Sequence, residues 1–323
     1  MACLFSGTVR LKDGRALGYA EYGDPNGIPL LYFHGFPSCR LEPDMPGVSD
    51  AARDAHARLI VVERPGFGLS DFQPRRRILD WPDDVTKVAD HLALDCFVVL
   101  GLSGGGPYAA ASAWKMPDRV LAAGIVSGIG PLAPPDALDG MRPPVRLLFS
   151  IARQTPWLVP PAAWAMMHAF VHPESDLYPR VDGDEPEPDR LARSRPGVEE
   201  AFHRMQAGAF ARGWQGVAHD LQLLGSPWGF PSEEIRIPVL IWHGALDNAV
   251  PVSHAQRLAR QIGGSALCIY ADEGHHSLAM NRTREVLTAL LSRAVAEAKA
   301  RRPSKAVVPA KMEMLRQEAW LEG

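Results

Sequence analysis

The chain has 323 residues, of which 46% are hydrophobic and 22% are charged, and its formal net charge is -3. This composition predicts a globular protein with a core large enough to carry an inserted subdomain. The small acidic excess excludes binding driven by attraction to nucleic acid or to an anionic membrane. The first residues carry neither a signal-peptide pattern nor a transmembrane run, so we expect a cytoplasmic protein.

The first hundred residues predict alternating strands and helices. They begin as a hairpin pattern with Asp13-Gly14 at the turn. Two short apolar runs, residues 28–34 and 59–63, predict strands, and residues 80–92 predict a helix. This alternation is typical of an α/β fold with a mostly parallel sheet flanked by helices, and this is the fold class that we predict.

Residues 96 to 114 predict a strand, a sharp turn and a helix around one serine. Phe97–Leu100 is a short apolar strand, and Tyr108–Trp114 is rich in alanine and predicts a helix. Ser103 lies between them, with one glycine two places before it and another two places after it. Such a turn strains the serine backbone and needs small neighbours, so that the Oγ atom becomes accessible. Ser103 is therefore the predicted nucleophile.

The alternation stops after the strand that follows this helix. The next residues, 131–234, are dense in proline and predict no strand, and about a hundred residues are too many for a loop in a compact domain. Their apolar helical stretches predict a helical lid over the Ser103 pocket, inserted into a core domain of residues 1–130 and 235–300. Within the lid, the acidic, proline-rich run from Asp182 to Arg195 has the composition of a disordered segment.

The predicted lid carries more large apolar side chains than a solvent-facing segment usually holds. These side chains either bind the lid to the core domain or line an adaptable apolar pocket above Ser103. In the second case, the acyl or alcohol group of the substrate is apolar and of small-molecule size. The pocket candidates are Trp164, Met167, Phe170 and Trp214 from the lid and His34 from the core domain.

A serine hydroxyl needs a base that takes its proton and an acid that orients the base. Residues 238–243 are an apolar strand, and Asp247 lies just past its C-terminal end, where the catalytic groups of parallel sheets collect. Asp247 is therefore the predicted acid. Asp272 and Glu273 are alternatives, although neither follows this strand.

Two adjacent histidines are candidates for the base. The predicted strand of residues 266–270 runs into a loop in which His275 and His276 follow Gly274. Side chains of successive loop residues point in different directions, so only one of the two histidines can reach Ser103. The chain order of serine, acid and histidine agrees with a strand–turn–helix nucleophile of this kind.

These segments resemble the motifs of the α/β-hydrolase fold superfamily, and they span nearly the whole chain except its middle and its tail. The resemblance implies that the amides of Phe36 and Gly104 form an oxyanion hole. It also implies that Asp247 is the acid, that His275 is the base, and that His34 has a structural role. The segments that carry the resemblance are His34-Gly35-Phe36-Pro37, Glu63-Arg64-Pro65-Gly66-Phe67-Gly68-Leu69-Ser70, the Ser103 turn, Met116-Pro117-Asp118-Arg119-Val120, and the loops of Asp247 and His275.

The resemblance implies a hydrolase that cleaves an ester or lactone bond of an apolar small molecule through an acyl-enzyme on Ser103. It implies neither a metal nor an organic cofactor. Serine at the turn, where epoxide hydrolases and dehalogenases of this fold use a carboxylate, argues against those activities. Hydroxynitrile lyases, cofactor-free haloperoxidases and C–C hydrolases resemble the chain in the same triad. These activities and a ligand receptor with slow turnover stay open as alternatives.

The cysteines and the tail bear on redox chemistry and assembly. The four cysteines, at positions 3, 39, 96 and 268, have no metal-like spacing, and Cys96 and Cys268 fall in predicted buried strands as inert core residues. The tail, residues 301–323, ends in an amphipathic stretch from Met312 to Leu321. The lid and this tail are two candidate surfaces for a homodimer, and the alternative is a tail without a partner.

Overall fold

One eight-stranded sheet forms the centre of the protein. The computed structural model describes residues 3–172 and 184–301, so the amphipathic stretch predicted in the tail lies outside the described residues. The strands lie in the order β1-β2-β4-β3-β5-β6-β7-β8. They are β1 (Phe5–Arg10), β2 (Ala16–Gly23), β3 (Ile28–Phe33), β4 (Ala57–Val62), β5 (Phe97–Leu102), β6 (Val120–Val126), β7 (Val239–Gly244) and β8 (Ala266–Tyr270).

The pairing of the strands confirms the predicted fold class. β2 pairs antiparallel with both β1 and β4, whereas the remaining neighbours are parallel. The central strands are apolar along their length because both faces of the sheet are covered, and every residue of β6 is buried. Since the parallel strands run in one direction, the loops that follow β3, β5, β7 and β8 meet along the carboxyl ends of the strands, which we call the carboxyl edge of the sheet.

The helices of the described residues cover both faces of the sheet. The α-helices are α1 (Val48–Asp54), α2 (Trp81–His91), α3 (Gly106–Lys115), α4 (Pro143–Gln154), α5 (Val159–Val171), α6 (Glu187–Arg193), α7 (Val198–Ala209), α8 (Gln215–Leu224), α9 (Ser253–Gln261), α10 (His275–Asn281) and α11 (Thr283–Ala300). Alternate strand residues point to opposite faces, so Leu31 and Phe33 pack with α2, α3 and α9, whereas Leu30 and Tyr32 pack with α1 and α11.

Five of these helices, α4 to α8, lie between β6 and β7, and we call residues 143–172 and 184–224 the helical insertion. Its helices α5 and α7 form a third apolar cluster with the loops that follow β3 and β4, in which Phe170 and Phe202 lie with Cys39 and Phe67. Within the described ranges, every helix is too short or too polar to cross a membrane.

The acidic run that we predicted to be disordered contains α6, so that prediction is wrong for residues 184–195, whereas residues 182 and 183 lie outside the described residues. The side chain of Glu185 is buried, and its Oε1 accepts hydrogen bonds from Arg142 at 3.0 Å and from Arg193 at 2.7 Å. Paired and hydrogen-bonded charges can be buried at a far smaller cost than isolated ones. Composition alone could not reveal this pairing, because Arg142 lies 43 residues earlier in the chain.

The prediction that Cys96 and Cys268 are buried is also wrong, since both are exposed. Cys96 precedes β5. Cys268 lies on β8, the outermost strand of the sheet, in which no residue is buried. The buried thiol is that of Cys39, which lies 3.3 Å from the carbonyl oxygen of Met205.

Candidate active site

The predicted nucleophile lies in a tight turn between β5 and α3. Ser103 has a φ of +51°, which is the left-handed conformation that strains a residue with a side chain. A Cβ atom on Gly101 would lie 2.3 Å from the carbonyl oxygen of Gly105, and one on Gly105 would lie 2.0 Å from that of Phe33. Both flanking glycines are therefore required by close backbone contacts.

Three side chains from the loops after β5, β7 and β8 form a continuous chain of hydrogen bonds. His275 Nε2 lies 3.1 Å from Ser103 Oγ, and His275 Nδ1 lies 2.7 Å from Asp247 Oδ2. An ionised carboxylate can only accept, so Nδ1 carries the proton of the neutral ring and Nε2 is left to accept from the serine. This arrangement can activate a serine hydroxyl.

Asp247 is ionised although its side chain is buried. Its Oδ1 accepts hydrogen bonds from the amides of Ala249 and Val250 at 2.9 and 2.7 Å, and its Oδ2 also lies 3.3 Å from His243 Nε2. Burial by itself raises the pKa of this carboxyl. The charge of His275 and the hydrogen bonds from both histidines outweigh that effect and hold the pKa of Asp247 well below its usual range.

The structure places the alternative acids away from the base. Asp272 and Glu273 both pair with Arg282, at 3.1 and 2.8 Å. Arg282 follows α10, so these two carboxylates hold the far end of that helix rather than the imidazole of His275 at its beginning.

The two adjacent histidines have opposite electrostatic environments. Burial lowers the pKa of His275, but the carboxylates of Asp247 and Asp189 overcome this effect and raise its pKa above the ordinary value. For His276, burial and the positive charge of His275 act in the same direction and hold its pKa well below the usual range. The ring of His276 packs edge to face on Phe202, with 5.0 Å between the centroids. His276 is thus a neutral wall residue.

The segment after β3 lies against the serine turn. A Cβ atom on Gly104 would lie 2.8 Å from Phe36 Cβ and 3.5 Å from the Phe36 amide nitrogen. Arg64 binds the carbonyl oxygen of Gly35 at 2.8 Å, and the C=O and N–H groups of this trans peptide point in opposite directions, so the Phe36 N–H is turned away from Arg64. Asp220 of α8 accepts a hydrogen bond from Arg64 Nε at 3.0 Å. Core and insertion together hold this peptide.

His34 does not reach the cavity, so its prediction as a pocket residue is wrong. Its Nδ1 donates to the carbonyl oxygen of Gly35 at 3.0 Å, and its Nε2 accepts from the Arg64 amide at 3.2 Å. Complete burial and the charge of Arg64 hold the pKa of His34 well below its usual range. The neutral ring connects the loops after β3 and β4.

A residue that sequence reasoning missed holds the loop of the base. Asp189 of α6 is buried and accepts hydrogen bonds from three backbone amides, those of His275 at 2.9 Å, His276 at 3.0 Å and Ser277 at 2.8 Å. The first amides of a helix have no acceptor within it, and Asp189 supplies one. In the sequence it is one of five acidic residues between 182 and 189, and no local signal distinguishes it.

An apolar cavity of about 130 Å³ opens onto Ser103. Helix α7 contributes Phe202, Met205 and Gln206 to its wall, and the core contributes apolar side chains that include Met45, Leu102, Val126, Leu278, Met280 and Leu287. Of the described residues, no lysine or arginine lines the cavity. Nor does any group of three or more His, Cys, Asp or Glu side chains in the described ranges have an arrangement that could hold a metal ion.

The four lid residues predicted to line the pocket lie elsewhere, so that prediction is wrong. Trp164 is 54% exposed and stacks on His168. Met167 and Phe170 pack in the third apolar cluster, and Trp214 packs against the edge of the core. The physical reason is that α5 packs against α7 and α8, which leaves α7 as the insertion helix that faces the cavity.

Comparison with known proteins agrees with the fold. Residues 28–155 match the family model of the alpha/beta hydrolase fold, and residues 225–293 match that of the TAP-like proteins. The uncharacterized hydrolase YcgS of Bacillus subtilis (strain 168) is 26% identical over 277 residues, which are 81% of this chain and 89% of that protein. A 2-hydroxy-6-oxo-2,4-heptadienoate hydrolase of Pseudomonas putida is 26% identical over 264 residues, which are 77% of this chain and 83% of that protein.

A solved structure gives the same result for the fold. The thermophilic esterase from Thermogutta terrifontis superposes with a TM-score of 0.61 at 22% sequence identity, and the match covers 91% of this chain and 99% of the esterase. With the strand order, the serine turn and the matched family model, this likeness leads to one conclusion. The chain belongs to the α/β-hydrolase fold superfamily.

Proposed function

We propose that the protein is a serine hydrolase that cleaves ester or lactone bonds of small apolar molecules through an acyl-enzyme. The observation that carries this proposal is the hydrogen-bonded chain from Asp247 through His275 to Ser103, with distances of 2.7 and 3.1 Å, at the wall of an apolar cavity. Serine hydrolases on unrelated folds use the same three groups in the same roles.

In the first half of the reaction, Ser103 Oγ attacks the carbonyl carbon of the ester while His275 Nε2 takes the serine proton. Asp247 stabilises the imidazolium that forms. The carbonyl oxygen becomes an oxyanion that accepts hydrogen bonds from the amides of Phe36 and Gly104, and each such donor contributes about 3–4 kcal/mol in other hydrolases. His275 then gives its proton to the leaving alcohol, and the acyl group stays on Ser103.

In the second half, water replaces the alcohol. His275 takes a proton from water, whose oxygen attacks the acyl carbon and forms a second oxyanion in the same place. When this intermediate collapses, the bond to Ser103 Oγ breaks, His275 returns the proton to the serine, and the acid product leaves. The same neutral imidazole is needed in both halves.

The cavity supports a small substrate without negative charge. Its volume of about 130 Å³ is close to the roughly 150 Å³ of a protein cavity that holds benzene. A carboxylate or phosphate on the substrate would lose its hydration without meeting a lysine or arginine among the described lining residues. The helical insertion acts as the lid of this pocket, because α7 closes it with Phe202 and Met205.

A C–C hydrolase is the second candidate, because the heptadienoate hydrolase matches this chain over 77% of its length. The name of that relative describes an anionic substrate. Here the acidic side chain that lines the cavity, Glu42, would repel an anion, and the described lining has no lysine or arginine that would attract one. Ester hydrolysis is therefore the function that the geometry supports best.

A fluorophosphonate probe followed by peptide mass spectrometry tests the proposal. The probe reacts only with activated serines, so it is expected to label Ser103 in the native protein and to leave Ser103→Ala unlabelled. Ser112→Ala is the matched control, since it removes another serine hydroxyl, which is buried on α3 and has no hydrogen-bond partner among the described residues. Undiminished labelling of Ser103→Ala, or no turnover of any p-nitrophenyl ester from acetate to octanoate, would contradict the proposal.

A further inference from the structure

A buried carboxylate lies beside the nucleophile and has no part in the triad. Glu42 follows β3, is 9% exposed and lines the same cavity as Ser103. A Cβ atom on Gly35 would lie 3.1 Å from Glu42 Oε1 and 3.7 Å from Ser103 Cβ. Only the width of one glycine therefore separates the carboxylate from the serine side chain.

Glu42 differs from the other buried carboxylates in its partners. In the described part of the chain, no lysine, arginine or histidine nitrogen lies within 4.0 Å of its oxygens, and its one amide donor is Gly35, at 3.0 and 3.3 Å from the two oxygens. Asp189, by contrast, accepts hydrogen bonds from three backbone amides. Each of the remaining buried carboxylates pairs with an arginine or a histidine side chain: Glu63 with Arg40, Asp84 with Arg15, Glu185 with Arg142 and Arg193, Asp220 with Arg64 and Arg76, Asp247 with His275, and Glu273 with Arg282.

The polar groups around Glu42 leave part of its capacity to accept hydrogen bonds unused. Burial raises the pKa of Glu42 above its ordinary value, although the Gly35 amide, the hydroxyls of Ser38 and Tyr32 and the more distant charge of Arg64 act in the opposite direction. Ser38 is 1% exposed and lines the cavity, yet its Oγ forms no hydrogen bond of good geometry with any described group. Ionised carboxylates offer about four acceptor positions, and buried ones rarely stay unpaired.

We infer that Glu42, with Ser38 and Tyr32, forms a polar subsite that binds a hydrogen-bond donor of the substrate, a hydroxyl or an ammonium group, a few bonds from the ester carbonyl. The rest of the cavity wall is apolar, so the substrate is a small ester whose carbon skeleton carries one such donor. This inference deepens the proposed function and rests on it. It adds a specificity determinant that takes no part in the proton transfers of the triad.

Three p-nitrophenyl esters of similar shape test the subsite, namely 3-methylbutyrate, 3-hydroxybutyrate and 3-aminobutyrate. A hydrogen bond to a charged group favours the hydroxy and amino esters. We therefore expect kcat/KM to be about tenfold or more higher for at least one of these two esters than for the 3-methylbutyrate ester. Glu42→Leu is expected to remove this preference. Glu42→Gln is expected to keep part of a preference for the hydroxyl and to lose a preference for the ammonium, which distinguishes the two donors. Butyrate esters of 3-methylbutanol, 1,3-butanediol and 3-aminobutanol, followed by proton release, repeat the test on the alcohol side.

The matched control is Thr283→Val, which removes another polar group that lines the cavity. It is expected to change kcat/KM for all three esters by one common factor. An equal loss on all three esters in Glu42→Leu would contradict the inference, because Glu42 would then only position the Gly35 amide. The inference would also be contradicted if the native protein preferred the ester without a hydroxyl or ammonium group in both the acyl series and the alcohol series.

Binding without turnover separates this inference from the proposed function. Calorimetric titration of folded Ser103→Ala with methyl 3-aminobutyrate, methyl 3-hydroxybutyrate and methyl 3-methylbutyrate is expected to give tighter binding of a donor ester. In the double variant with Ser103→Ala and Glu42→Gln, the same titrations are expected to show weaker binding of the amino ester. Equal binding of all three esters overturns the subsite even where ester hydrolysis is established, and selective binding supports it even where Ser103 is not the nucleophile.

Discussion

The carboxyl edge of the sheet and the helical insertion both build the candidate site, but they contribute in different ways. The sheet edge supplies the proposed reacting groups, because Ser103, Asp247 and His275 lie in the loops after β5, β7 and β8. The insertion supplies support, because Asp189 holds the backbone of His275 and Asp220 holds Arg64, which binds the carbonyl oxygen of Gly35. Local turns therefore place the proposed reacting groups, whereas contacts between distant segments align them.

The residue that precedes the insertion contacts the loop of the proposed acid. The backbone N–H of Arg142, just before α4, donates to the carbonyl oxygen of Asn248 at 2.7 Å, next to Asp247. The guanidinium of Arg142 binds Glu185, four residues before Asp189. Arg142 therefore connects the two segments, since its backbone binds the acid loop and its side chain binds the segment that holds the base loop.

The largest expected effect comes from a reacting group of the sheet edge. Asp247→Asn is expected to fold and to lower kcat about 10⁴-fold, because the asparagine amide stabilises the wrong tautomer of His275. Asp272→Asn, a matched change at an exposed carboxyl, is expected to lower it less than about threefold. Initial rates with p-nitrophenyl butyrate measure both. A loss of tenfold or less in Asp247→Asn would move the acid role to another carboxylate. It would also contradict the view that the loop after β7 supplies the acid.

The adjacent histidines test which side chain of the base loop reacts. His275→Ala is expected to lower kcat/KM at least about 10³-fold and His276→Ala less than about tenfold, since only His275 reaches Ser103. A protonated imidazole cannot accept the serine proton, so activity falls as the pH drops through the pKa of His275. Because this pKa is raised, we expect the acidic limb of the kcat/KM profile above about pH 6.5. The reverse ranking of the variants would make His276 the base.

The support from the insertion has a smaller but distinctive effect. Asp189→Ala leaves three amides, two of them buried, without an acceptor, so we expect a loss of about 3 kcal/mol in unfolding free energy and about 10- to 100-fold in kcat/KM. In Asp189→Asn, loss of the negative charge is expected to move the acidic limb to lower pH. Denaturant melts and pH profiles measure these changes.

The control for Asp189 is an exposed acid on the same helix. Glu187→Gln is expected to leave the stability and the pH profile unchanged, because its side chain lies in solvent. If Asp189→Asn kept the native acidic limb, the insertion would support the loop only through hydrogen bonds and packing. An effect of the Asp189 charge on the pKa of His275 would then be contradicted.

The smallest effect concerns the two helices of the insertion that are candidates for selecting the substrate. Phe202→Ala is expected to enlarge the cavity and to shift the preferred acyl chain by one or two carbons, because α7 lines it. Trp164→Ala, on the exposed side of α5, is expected to leave the chain-length preference unchanged. A p-nitrophenyl ester series from acetate to octanoate measures both. A shift in Trp164→Ala alone would reverse the roles of α5 and α7.

Much of the sheet edge could be predicted from the sequence because its signals are local. The strand before Ser103, the two flanking glycines and the alanine-rich helix after it all lie within about twenty residues. Asp247 was identified by its position directly after an apolar strand. The choice between His275 and His276 needed more than these signals. It depended on the family resemblance, because an adjacent pair carries no periodicity that separates its members.

The insertion could be predicted only as helical and apolar. A helical pattern shows that one face is buried, but it does not show against what that face packs. Trp164, Phe170 and Phe202 therefore have similar signals in the sequence, although only Phe202 reaches the cavity. The acidic run was misread for a related reason, since the arginine that pairs with Glu185 lies 43 residues away.

Local sequence predicts the parallel sheet, the serine turn and the chain order of the proposed acid and base, because short apolar runs and glycine sterics act over a few residues. Tertiary packing sets three further features: Asp189 supports the base loop, α7 lines the cavity, and the carboxylate of Glu42 lies beside Ser103. Each of these contacts joins residues far apart in the chain. Their existence depends on how whole elements pack, and no local pattern of side chains records that.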